Sequence, residues 1–120
     1  MSQILIVDDH SDIRRLLSVT LGKDFTIEEA EDGVTALARI RRDPPQLVLL
    51  DVMMPGELDG LAVLDIIKSN PETQGILVAM GTARGQQVDS EDARKRGADA
   101  YFIKPFSPLQ VVNWVRGKLK

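Results

Sequence analysis

Five times along the chain a short apolar run gives way to a helical period. The runs are Ile4-Leu5-Ile6-Val7, Phe25-Thr26-Ile27, Leu47-Val48-Leu49-Leu50, Ile76-Leu77-Val78-Ala79-Met80 and Tyr101-Phe102-Ile103. Four are near-continuously apolar, as strands covered on both faces must be. The Phe25 run passes into Glu28-Glu29 and predicts an edge strand. Ile13, Leu16, Leu17 and Leu21 repeat at helical spacing, with Ser11 as the expected N-cap. Gly33, Ala36, Leu37 and Ile40 form a second stripe, and Leu61, Leu64 and Ile67 a third. Residues 86–96 predict a weaker, mostly polar helix whose apolar members are Val88 and Ala93. Ser107-Pro108 is a cap followed by proline at the first helical position, opening a last helix with Val111, Val112, Val115 and Leu119. Loops fall at Pro44-Pro45, Pro55-Gly56, Pro71 and Gly97.

A β-α alternation repeated five times implies a parallel sheet with helices on both faces. Right-handed crossovers leave few topologies, and the expected fold is a flavodoxin-like (βα)5 three-layer sandwich with strand order 2-1-3-4-5. There is no internal repeat or linker, and 120 residues fit one domain, residues 1–120. The absence of cysteine excludes a disulfide framework and a thiolate site. A net charge of -3 gives no electrostatic case for direct nucleic-acid binding. No apolar run approaches the roughly 20 residues that span a bilayer, and Met1-Ser2-Gln3 lacks the basic region of a secretory signal. A cytoplasmic chain without membrane contact is expected.

Ligands of open α/β sheets bind beyond the carboxyl ends of the strands. The first run ends in Asp8-Asp9 and the third in Asp51. The fourth is followed by Gly81-Thr82-Ala83, and the fifth ends in Lys104-Pro105. In the expected order these four ends are neighbours. Three carboxylates there repel, each pair about 4 Å apart by roughly 4 kcal/mol at an effective dielectric near 20. A hard divalent cation relieves this. Mg²⁺ fits, since it takes one or two carboxylates, keeps several waters and pairs with phosphate oxygens. A carboxylate beside Mg²⁺ and a lysine can attack phosphorus, giving an aspartyl phosphate. Thr82 and Lys104 would hold the phosphoryl oxygens.

These pieces, together with Asp51-Val52-Met53-Met54-Pro55, Gly97-Ala98-Asp99-Ala100-Tyr101 and Lys104-Pro105-Phe106, resemble the signature of CheY-like receiver domains of two-component response regulators. The resemblance covers essentially the whole chain. It implies a phosphorylation switch rather than an enzyme, although one that catalyses its own phosphorylation and dephosphorylation. Asp51 would accept phosphoryl from a histidine kinase or a histidine phosphotransfer protein. Asp9, Asp51 and the carbonyl of Met53 would bind Mg²⁺ directly, and Asp8 through a water. Thr82, the Ala83 N–H and Lys104 would hold the phosphoryl group. Thr82 and Tyr101 would form the switch, reshaping the face made by the fourth helix, fifth strand and fifth helix. The Lys104-Pro105 bond is expected to be cis. After Lys104 only one helix follows, so the output is either docking to a downstream protein or a domain elsewhere in a longer regulator; a weak homodimer is left open.

Two features depart from the family pattern. Pro55-Gly56-Glu57-Leu58-Asp59-Gly60 carries one residue more than Pro-Gly-x-Asp-Gly, and Gly81 replaces a bulkier apolar residue. Both leave open a degenerate receiver that acts only as an interaction module. A flavin-binding module would need a glycine- or hydroxyl-rich first loop, but Asp8-Asp9-His10 stands there and repels bare phosphate. A phosphohydrolase would want an acid two residues after Asp51, where Met53 stands. His10 reads as a loop residue. Met53 and Arg84 are bulky beside the expected path of attacking water, which would prolong the phosphorylated state. Trp114 marks either a partner surface or core packing.

Overall fold

The computed structural model describes residues 3–52, 54, 56–83, 90–104 and 107–119, with the backbone alone for Thr82, Ala83, Ser90 and Lys104. Ten elements alternate: β1 (Gln3–Val7), α1 (Ser11–Leu21), β2 (Thr26–Ala30), α2 (Gly33–Arg42), β3 (Leu47–Asp51), α3 (Gly60–Ser69), β4 (Leu77–Ala83), α4 (Ser90–Lys95), β5 (Ala100–Lys104) and α5 (Pro108–Leu119). The strands pair in parallel in the order β2-β1-β3-β4-β5, as expected. The register sets Val7 beside Ala30 and Leu50, Asp51 beside Gly81, and Ala83 beside Lys104.

Strand side chains alternate faces, and the core divides accordingly. Leu5, Val7, Val48, Leu50, Val78 and Met80 pack with the inner stripes of α2 and α3 and with Ala93 of α4. Ile4, Ile6, Leu47, Leu49 and Ala79 pack with Leu17 and Leu21 of α1 and with Val111, Val112 and Val115 of α5. Each fully buried Leu or Ile contributes about 1.5–3 kcal/mol over its exposed state.

Two boundaries and the cover of one strand differ from the pattern reading in ways that bear on the site. Helix α1 begins at Ser11, with His10 at the N-cap, because Asp8 Oδ1 accepts from the His10 N–H at 2.9 Å and fixes the turn one residue earlier. Strand β4 runs on through Gly81-Thr82-Ala83, because β5 supplies a paired edge as far as Lys104. Strand β5 is itself an edge, and its Ile103 is exposed, so its apolar run is not covered on both faces. The expected start of the fourth helix at residue 86 lies outside the described residues.

At the amino end of β4 the chain is locked by one lysine. Lys68 Nζ donates to the carbonyls of Ile76 (2.6 Å) and Gln74 (3.1 Å) and pairs with Asp99 Oδ2 at 3.3 Å. That same Asp99 oxygen accepts from the Val78 N–H at 2.8 Å. Helix α4 closes in a Schellman turn: Ala98 N–H reaches the Ala93 carbonyl and Gly97 N–H that of Arg94. Gly97 sits at φ 103°, a left-handed position that glycine adopts without penalty.

Candidate functional site

The carboxyl ends of β1 and β3 carry the site. Asp8 follows β1 directly; its N–H donates to the Ala30 carbonyl at 3.1 Å, and its side chain is buried. Asp51 is the last residue of β3 and only 5% exposed. Val52 N–H donates to the Gly81 carbonyl at 2.8 Å, which ties the chain beyond the acceptor to β4. Gly60 closes the other side. A Cβ there would stand 2.0 Å from the Asp51 carbonyl oxygen, so only glycine permits α3 to start against β3. The Gly60 N–H meanwhile donates to the Val52 carbonyl at 2.8 Å, and Asp59 caps α3 by accepting from the Ala62 N–H.

One ligand atom each from Asp8, Asp9, His10 and Asp51 lies within 4.8 Å of the others. The expected three carboxylates are thus brought together. His10, read from sequence as a loop residue, joins them: its Nδ1 lies 3.0 Å from Asp8 Oδ1 and 3.1 Å from Asp9 Oδ1. Arg14, one turn along α1, was not singled out by the sequence pattern. It donates to the Asp8 carbonyl and pairs with Glu29, bracing the loop from behind. Its position four residues after His10 is the only sequence signal for that role. Two largely buried carboxylates with a third at the surface are a hard oxygen donor set, which suits Mg²⁺.

Thr82 and Ala83 end β4 beside Ile103 and Lys104 of β5, two strands over from Asp8 and at the same carboxyl end of the sheet as Asp51. The backbone thus sets Thr82, Ala83 and Lys104 at the same carboxyl edge, while their side chains lie outside the described residues. Met53, Arg84 and Pro105 lie outside them altogether. Tyr101, beside Met80 in the register, is half-buried and packs against the α2–α3 side of the core.

The extra residue in the loop after the acceptor turns inward. Leu58 packs on the core, and its Cβ and carbonyl close on Gly33 at the start of α2, where any added Cβ would stand 2.8 Å from each. Gly56 takes the turn at φ 98°. The insertion is therefore absorbed between the α2 and α3 starts. Gly81 lines a cavity of about 30 Å³ beneath Asp8 and Asp51, together with Ala79 and Phe102.

The family model for the response regulator receiver domain matches residues 4–116. The chain belongs to that family. Among curated relatives, this receiver is 39% identical to the transcriptional regulatory protein ResD of Bacillus subtilis over 99% of the chain and 48% of that protein. It is 36% identical to the DNA-binding response regulator MtrA of Mycolicibacterium paratuberculosis over 98% of the chain and 51% of that protein. The receiver thus spans about half the length of the curated relatives it matches. Its fold superposes on the receiver domain of NtrX from Brucella abortus with a TM-score of 0.87 at 36% identity, covering 97% of each chain. A CheY-like receiver from Methanospirillum hungatei gives a TM-score of 0.89 at 28% identity, covering 99% of this chain and 94% of that one. Among the described residues no helix of this receiver is long and apolar enough to cross a membrane.

Proposed function

We propose that this receiver is a phosphorylation switch whose acceptor is Asp51. The observation that carries the reading is the convergence of Asp8, Asp9 and Asp51 from two adjacent strands into one cluster. Asp9, Asp51 and the Met53 carbonyl would hold Mg²⁺ directly and Asp8 through a water. The ion supplies charge neutralisation at the phosphoryl oxygens.

An Asp51 carboxylate oxygen attacks phosphorus. The Asp51 O–P bond forms as the bond from phosphorus to the donor's imidazole nitrogen breaks, and the electron pair returns to that nitrogen. Lys104, the Thr82 hydroxyl and the Ala83 N–H hold the transferred oxygens. The new group brings about two negative charges and several acceptors. Thr82 follows them, Tyr101 repacks against β4, and the face built by α4, β5 and α5 shifts population. The donor is a histidine kinase or a phosphotransfer protein in the cytoplasm. The reader of the shifted face is a downstream protein or an output domain, as the names of the DNA-binding relatives suggest.

The test is incubation with Mg²⁺ and acetyl phosphate, followed by intact-mass measurement. A gain of about 80 Da in wild type and none in Asp51→Asn is expected, since one phosphoryl group is added. No gain in wild type, or an equal gain in the variant, removes Asp51 as the acceptor.

A further inference from the structure

We propose that His10 supplies a nitrogen donor to the metal site, which raises the affinity of this receiver for borderline transition ions relative to Mg²⁺. The inference rests on the cation site proposed above and concerns which ion fills it.

Metal–donor bonds of about 2.1 Å place neighbouring donors of an octahedron about 3.0 Å apart. The His10 Nδ1 already stands 3.0 Å from Asp8 Oδ1 and 3.1 Å from Asp9 Oδ1. Opposite donors of the same octahedron are about 4.2 Å apart. The whole four-atom group, Asp51 included, spans no more than 4.8 Å, so an inward movement of about half an ångström brings Asp9, Asp51 and His10 onto one ion, with Asp8 reaching it through a water. The hydrogen bond between the ring and Asp8 Oδ1, with Asp9 Oδ1 at ion-pair distance, holds it in this place before an ion arrives.

The backbone fixes His10 there. The residue occupies the N-cap of α1 at φ -90° and ψ 108°, yet its side chain makes no capping bond to the helix. Its own N–H is held by Asp8 Oδ1, and the Arg14 N–H donates to its carbonyl at 3.1 Å. The ring is thus turned toward the acids instead of the helix. It is also 58% exposed, so an entering ion meets it before the buried carboxylates.

An all-oxygen site binds Mg²⁺ well. Replacing one oxygen by imidazole costs little for Mn²⁺, Co²⁺, Ni²⁺ or Zn²⁺, whose affinities for nitrogen donors rise along the series to copper. The same exchange is poor for Mg²⁺, which takes oxygen ligands and sheds water reluctantly. His10 therefore widens the gap between Ni²⁺ and Mg²⁺ without altering the acids.

The experiment titrates the protein with Mg²⁺ and with Ni²⁺ by calorimetry at about pH 8, above the ordinary imidazole range. Wild type, His10→Ala and His10→Asn are compared, since neither change removes a helix cap. His10→Ala is expected to weaken Ni²⁺ about tenfold or more and to leave Mg²⁺ within about twofold. His10→Asn, which keeps a polar side chain but no imidazole, is expected to behave like His10→Ala toward Ni²⁺. Electron spin-echo spectroscopy of the Mn²⁺ form should show nitrogen coupling in wild type that both variants lack. Equal weakening of both cations, or a Mn²⁺ spectrum without nitrogen coupling, overturns the inference and leaves the Mg²⁺ site standing. Failure of wild type to bind any of the three ions overturns the cation site itself, and this inference with it.

Discussion

The two ends of the parallel sheet use the same kinds of charged residue in opposite ways. At the amino end of β4, Lys68 and Asp99 neutralise each other, and both also serve backbone groups: the carbonyls of Ile76 and Gln74 and the N–H of Val78. At the carboxyl ends of β1 and β3, three acids are drawn into one cluster around a histidine. The first arrangement is complementary and stabilises the fold. The second concentrates like charge, which costs stability until a cation or an altered charge relieves it.

The contrast can be broken most sharply where the acid end is anchored. Gly60→Ala would force a Cβ against the Asp51 carbonyl. A loss of about 3 kcal/mol or more is expected in urea denaturation, since backbone cannot yield as a flexible side chain does. At the other end, Lys68→Met should cost about 1–3 kcal/mol, because the Ile76 carbonyl and Asp99 lose their shared partner. Phosphorylation of that variant by acetyl phosphate should persist, and its loss would show that the two ends are not separable. Asp51→Asn should do the reverse of Lys68→Met. Without divalent cations it should be more stable than wild type by about 1 kcal/mol, as one member of a repelling cluster is neutralised. Unchanged or lower stability would mean that the cluster is not under strain in the resting protein.

Smaller effects sharpen the picture. Gly81→Ala points a methyl toward the cavity below the acids and should gain about 0.5–1 kcal/mol by thermal denaturation. A loss would show that this space is needed by a neighbour. Asp32 caps α2, accepting from the Thr35 N–H at 2.8 Å, and that bond holds its carboxyl below the usual carboxylate range. A depressed folded-state value contributes stability at neutral pH, lost as pH falls through that value. Asp32→Ala should therefore lower the melting temperature slightly at neutral pH and have no effect in strong acid. A difference that persists in acid would assign the cap to something other than its charge.

Much of this was legible along the chain. The alternation of apolar runs with helical stripes marked all ten elements, because strand and helix periods are local properties of a few neighbouring residues. The edge position of β2 showed in Glu28-Glu29. The acids were legible as candidates because strand ends in such sheets are where ligands bind. Less legible was His10, since nothing in a lone histidine after two aspartates says which way its ring turns. Arg14 was hidden inside an ordinary amphipathic stripe. Leu58 read as an insertion of uncertain consequence, and only its packing on Gly33 shows where the additional residue went.

The sequence by itself determined the order of elements, the apolar faces they bury and the residue types at each strand end, because each depends on spacing within one short segment. Only the tertiary structure decided that Asp8, Asp9 and Asp51 share one cluster with the His10 ring. That outcome depends on β1 and β3 lying side by side despite the β2 crossover, and on a turn set by one Asp8 hydrogen bond. Distances between side chains from separate segments follow from how the layers pack, and no periodicity within a single segment encodes them.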